Sequence, residues 1–254
     1  MLDLGFVSYG LAATSFLILT LLLLTSWQGR AQGARLVVAC AVTAAWAALL
    51  AFGSDRVDLT LPIVLLAESL RYGAWFVVLT GLTRSAGLAG GLSRAVHAAW
   101  AGAALLAFAL PALVERGVHL PAPMLLIIGA GLLMALLGLV LLEQVYRNSR
   151  AQGRYAIKFF VIAMGVMFAY DLFLYSQAQL LKSVDAVSWA ARGFVLAMTV
   201  PMLALAARRN PHWSLDIFVS RQVVFYTTSL LAIGSYLLVM AFGGYRRQLQ
   251  VIVG

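Results

Sequence analysis

The sequence predicts an all-α fold, a polytopic transmembrane helical bundle. Three observations carry that prediction. Hydrophobic residues make up 63% of the 254 residues and charged residues only 11%, against about 25% charged in ordinary soluble domains. Apolar runs recur at about 20 residues, the length that crosses the hydrocarbon core as a helix. The net charge of +9 is dealt out between those runs, as membrane orientation requires. A nucleic-acid-binding protein would gather it in one patch instead.

Eight runs qualify as spans, near 4–24, 36–52, 61–82, 95–114, 121–142, 155–175, 187–207 and 223–242. A segment in hydrocarbon must satisfy its own backbone hydrogen bonds, so runs of this length are helices. Together they form one transmembrane domain over 1–254. Small residues recur at four-residue spacing, as at Ala99, Ala103 and Ala107 and at Gly131 and Ala135, a pattern that lets helices approach closely in lipid. Pro111, Pro121 and Pro123 read as helix ends and Pro201 as the one interior proline, while Gly87, Gly90 and Gly91 read as a loop. The single cysteine, Cys40, has no internal disulfide partner and reads as a small buried filler.

Loop charge sets the expected orientation. Arg30 and Arg35, Arg84 and Arg94, then Arg147, Arg150, Arg154 and Lys158, then Arg208, Arg209 and Arg221 mark one side. The opposite loops mix signs: Asp55, Arg56 and Asp58; Glu115 and Arg116; Lys182 and Asp185. Lys and Arg mark the cytoplasmic side, so the N-terminus is expected outside. Eight helices return the chain to the outside, and Val251, Ile252 and Val253 read as the opening of a ninth run.

Ionisable residues within the runs are the second signal. Glu68 and Arg71 lie three apart on one helix face; Asp171 lies in the sixth run and Arg192 in the seventh. At 1.5 Å per residue, Glu68, Asp171 and Arg192 are about 10, 6 and 8 Å from the same edge of the membrane. Tyr72, Trp75, Tyr170, Tyr175 and Trp189 fall near that layer. An unpaired charge costs about 2.5–3.5 kcal/mol even on the mild insertion scale, so these four are expected to pair. Two readings stay open: interhelical glue, and a pocket for a signal.

No catalytic apparatus is legible. None of His97, His119 and His212 is followed by an acidic residue, and no Walker-type phosphate loop occurs. No Cys/His cluster has metal-ligand spacing. The residues themselves therefore imply no cofactor, no metal and no nucleic-acid partner; the lipid bilayer is the partner they do imply.

The stretch 206–229 is the densest in information. Arg208 and Arg209 close one run, Asn210-Pro211 breaks the helix, and Ser214 is placed to cap a short helix through Asp216. Asn210, Pro211, Trp213, Asp216 and Arg221 thus read as an interfacial segment on the cytoplasmic side. The string NPHWSLDIFVSRQVVFYTTSLL, with Lys158-Phe159-Phe160, Phe168-Ala169-Tyr170-Asp171-Leu172-Phe173-Leu174-Tyr175 and Ala190-Ala191-Arg192-Gly193-Phe194, closely resembles the membrane region of PEP-CTERM/exosortase-system sensor histidine kinases of the PrsK type. The N-terminal LLLLTSWQGRAQG and the ESLRYGAW stretch extend the resemblance to residues 8–245.

That resemblance implies a membrane-embedded sensory and anchoring region in a bacterial inner membrane, the N-terminus periplasmic. It implies a helix-mediated homodimer. In the family, a cytoplasmic kinase region that uses ATP and Mg follows, and it passes a phosphoryl group to a response regulator in exopolysaccharide production and PEP-CTERM sorting. The phosphoacceptor and ATP-binding domains have no counterpart in these 254 residues. A small transporter or a stand-alone membrane protein is the rival reading. Inverted repeats and helices broken at mid-membrane would favour transport, and neither is visible.

Orientation is open to direct measurement. In a Cys40→Ala background, single cysteines replacing Val57, Gly117 or Ser183 are expected to react with an impermeant maleimide from outside, and those replacing Gln32, Gly90 or Gln152 only after permeabilisation. Outside labelling at 152 reverses the assignment.

Overall fold

A computed structural model describes residues 4–25, 31–53, 61–85, 90–117, 122–149 and 151–209. These form seven helices: α1 (Leu4–Thr25), α2 (Ala31–Gly53), α3 (Leu61–Ser85), α4 (Gly90–Glu115), α5 (Pro123–Arg147), α6 (Ala151–Leu181) and α7 (Ala186–Arg209). All seven are long and apolar enough to cross a membrane. The chain is therefore an all-α, multi-pass membrane protein, and the first seven predicted runs each lie within a helix save for the start of the fifth. The eighth run, the start of a ninth, and the segment of Asn210, Pro211, Trp213, Asp216 and Arg221 lie outside the described residues.

The helices extend past the apolar runs that announce them. α2 begins five residues before the run at 36, and α6 continues six residues beyond 175. Hydropathy marks the apolar layer, whereas backbone hydrogen bonds carry a helix on into the polar zone whatever its side chains. The same reason corrects the glycine loop at two positions: Gly90 opens α4 and Gly91 lies within it, while Gly87 lies outside the described residues. Pro111 is also corrected, since it sits inside α4 as Pro201 sits inside α7. Such prolines are tolerated in membrane helices because neighbours and local adjustments satisfy the freed carbonyl.

Helix ends carry recognisable stops. Gly117, at φ +79°, turns the chain at the end of α4 and donates to the Val114 carbonyl at 3.0 Å; a residue without Cβ adopts that left-handed geometry at no steric cost. Asp185 heads α7, its Oδ2 accepting the Ser188 N–H at 2.8 Å, as N-cap residues do. That N–H holds the Asp185 carboxyl below the usual carboxylate range.

Packing follows the chain and then closes on itself. α1 packs on α2 and α7, α6 on α5 and α7, and α3 on α2, α4 and α5. Among the described helices α4 packs on α3 and α5 alone to any extent, and one side of it carries the exposed Leu105 and Phe108. Glycines set the closest approaches. A Cβ on Gly193 of α7 would run into the backbone of Ser8 and Tyr9 in α1, one on Gly138 into the Phe168 ring, and one on Gly73 into the Trp100 ring. Ser8 and Tyr9 use that approach, donating to the Ala190 and Trp189 carbonyls at 2.5 and 2.7 Å. Cys40 is buried in α2 with a free thiol.

Candidate functional site

Hydrocarbon offers a charged side chain no solvation, so the four ionisable residues of α3, α6 and α7 must be solvated by one another. The structure brings Glu68, Arg71, Asp171 and Arg192 into one cluster, each 6% exposed or less. Arg192 forks between the two acids. Its Nη1 and Nη2 reach Glu68 Oε1 and Oε2 at 2.5 and 3.2 Å, and its Nε reaches Asp171 Oδ1 at 2.7 Å. Arg71 Nη2 bridges the same acids, at 2.7 Å to Asp171 Oδ2 and 3.3 Å to Glu68 Oε2. Two carboxylates and two guanidiniums leave no formal net charge. The planar, always-charged guanidinium is the group suited to this double bridging.

Aromatic residues complete the shell. Tyr72 donates to Asp171 Oδ2 at 2.8 Å, and Trp46 Nε1 donates to Glu68 Oε1 at 3.1 Å. The Arg71 guanidinium carbon lies 4.7 Å from the ring centroids of both Trp46 and Tyr72. That of Arg192 lies 5.0 Å from Trp46, 5.2 Å from Trp189 and 5.8 Å from Tyr175. Arg71 Nε and Nη1 meet no acceptor among the described residues; ring faces at this distance offset part of that loss. The cluster thus ties α3, α6 and α7 together, with α2 joined through Trp46. This matters because α3 and α7 make no extensive backbone contact, so long side chains do the bridging.

Not every aromatic residue expected in this layer belongs to it. Tyr170 donates instead to the Ser188 carbonyl at 2.7 Å, and Trp75, a turn deeper, donates to Thr43 Oγ1 at 3.0 Å. Trp46 and Tyr9 are members that sequence reasoning missed. Their signal was available: Trp46 is six residues before the end of the second run and Tyr9 five after the start of the first, about 9 and 7.5 Å from the same edge at 1.5 Å per residue. Applying the depth count to polar-tipped aromatics as well as charges would have included them.

Above the cluster lies a cavity of about 580 Å³, within the roughly 300–1,000 Å³ of small-molecule pockets. The starts of α1, α3, α5 and α7, the ends of α2 and α6 and the middle of α4 surround it. Its walls are mainly apolar, from Leu65 of α3, Ala103 and Ala107 of α4, and Ile127 and Met134 of α5. Its polar side is formed by Glu68, Tyr72, Tyr9, Tyr175 and Trp189. Glu68 therefore belongs both to the charge cluster and to the cavity wall. Gly131 makes room for the Tyr175 ring, which a Cβ there would strike at 2.7 Å.

Among the described residues no group of His, Cys, Asp and Glu is arranged to hold a metal ion, and both buried carboxylates are already neutralised by arginine. No protein-family model, characterised protein or solved structure matches the chain.

Removing one charge from the cluster leaves its partners unbalanced in a dry site, whereas removing the Tyr72 hydroxyl deletes one hydrogen bond. Asp171→Asn is therefore expected to cost about 2–4 kcal/mol and Tyr72→Phe about 0.6 kcal/mol, the average for interhelical hydrogen bonds in membranes. Reversible unfolding of the purified protein in mixed micelles measures both. Equal losses would show that the charges carry no special share of the stability.

Proposed function

We propose that this chain is the membrane-embedded sensory and anchoring region of a bacterial sensor histidine kinase, set in the inner membrane with its N-terminus periplasmic. In this reading the cavity faces the periplasmic half of the bilayer. The observation that carries it is the double membership of Glu68, which lines the cavity and holds Arg192 and Arg71. An occupant that touches Glu68 touches the side chains that tie α3, α6 and α7 together. A shift of that pairing is a displacement of helices, and α7 leads directly towards the basic end of the bundle, where Arg209 stacks on Phe159 of α6 at 4.6 Å.

The kinase assignment, its response regulator and its place in exopolysaccharide production and PEP-CTERM sorting rest on the resemblance of 158–160, 168–175, 190–194 and 210–231. A helical homodimer is part of the same reading. Both carboxylates of the site are engaged by arginine, an arrangement suited to reception.

Phosphohistidine is stable in alkali and labile in acid, and this separates it from serine and threonine phosphate. The native gene product that contains this chain, tagged near residue 1, isolated and given labelled ATP, is expected to take up alkali-stable, acid-labile label. The 254-residue chain by itself is expected to take up none. A native product that acquires no such label would overturn the kinase reading.

A further inference from the structure

The cavity's chemistry specifies its occupant, on the reading that this is the receiving site of a sensor. We infer that the cavity binds an uncharged, single-chain amphiphile from the bilayer, with its hydrogen-bonding head against Tyr175 and its apolar tail between α4 and α5.

Charge restricts the head first. Among the described residues that line the cavity, Glu68 is the one that carries a charge, and both its oxygens are already occupied: Oε1 by Arg192 and Trp46, Oε2 by Arg71 and Arg192. Neither an anionic nor a cationic head finds an uncompensated opposite charge among these residues, and desolvating it would be costly. Hydrogen bonding is different. The Tyr9 and Tyr72 hydroxyls donate to the Trp189 carbonyl and to Asp171. Tyr175 also lines the cavity, and its hydroxyl has no hydrogen-bond partner among the described residues. A phenol beside a mainly apolar cavity gains from a partner, and an ester, carbonyl or hydroxyl oxygen of a neutral head supplies one.

The tail follows from the walls. Ala103 and Ala107 on the inner side of α4 face Ile127 and Met134 of α5 across the cavity. α4 is the least embedded helix, with 11% of its span buried against 33–50% in the others. It contacts α5 less extensively than other neighbours contact each other, so the α4–α5 seam is the side from which a chain in the bilayer enters. A water-soluble solute would have to desolvate against walls that are mainly apolar.

A monoacylglycerol with a diazirine in its acyl chain is a suitable probe, added to the purified protein in phosphatidylcholine nanodiscs and crosslinked by light. Saturable labelling is expected on peptides of α4 and α5 that line the cavity, competed by monoolein but not by lysophosphatidylglycerol. Ala107→Trp, which fills the cavity, is expected to cut that labelling at least tenfold. Leu105→Trp, with the same bulk on the lipid-facing side of α4, is expected to leave it unchanged. Tyr175→Phe is expected to weaken apparent affinity about threefold to tenfold through one lost hydrogen bond. If Ala107→Trp does not fold, Ala103→Phe occupies the same wall.

Labelling that is unsaturable, or indifferent to both cavity-filling changes, overturns the site. Equal competition by the anionic lipid overturns the assignment of a neutral head. The assay needs no kinase, so the two readings fail separately. Saturable binding on a gene product without phosphohistidine leaves the cavity and removes the kinase; phosphohistidine without binding does the reverse.

Discussion

Two arginines and two carboxylates in a medium that cannot solvate them must find one another, and that necessity organises this bundle. Neither guanidinium is paired one-to-one. Arg192 holds both acids and Arg71 bridges the same two, so loss of any member disturbs the other three. Rings of Trp46, Tyr72, Tyr175 and Trp189 surround the charges and exclude lipid while accepting the cations' field. Small residues do the complementary work. Gly193 lets α1 come within backbone contact of α7, and that approach places Tyr9 at the cavity's edge.

A cluster that must stay neutral is also one that a neighbour can perturb without adding charge. In the proposed sensor, a neutral head that satisfies Tyr175 presses on a ring already within cation–π distance of Arg192. Arg192 answers to Glu68 on α3 and Asp171 on α6. The signal in this scheme is a redistribution of hydrogen bonds among fixed partners, which demands only small movements of helices that are long and rigid. It also explains why the apolar cavity abuts the polar layer instead of lying apart from it: separated from the charges, an occupant would have nothing bistable to bias.

Much of the fold was legible because membrane insertion leaves few alternatives. Run length specified helices, and the depth count put Glu68, Asp171 and Arg192 at one level before any side chain was placed. What it did not reveal depends on rotation about each helix axis. Trp75 shares that neighbourhood in sequence but bonds Thr43 a turn away, and Tyr170 turns to the Ser188 carbonyl. Trp46 and Tyr9 entered the site because α1 and α2 pack beside α7 and α3, an adjacency that hydropathy does not encode. The cavity was illegible for the same reason, since it is made by what seven helices leave unfilled. Gly90, Gly91 and Pro111 were misjudged because the composition that suggests a loop in water is compatible with helix at a membrane boundary.

If mutual solvation of these charges holds the bundle, Glu68 and Arg192 must be energetically coupled across α3 and α7. A double-mutant cycle of Glu68→Gln, Arg192→Gln and the pair, read by reversible unfolding in mixed micelles, measures that coupling. The double variant is expected to lose less than the sum of the singles by more than about 1 kcal/mol, as residues sharing one network do. Losses that add to within about 0.5 kcal/mol, the behaviour of independent sites, would contradict it.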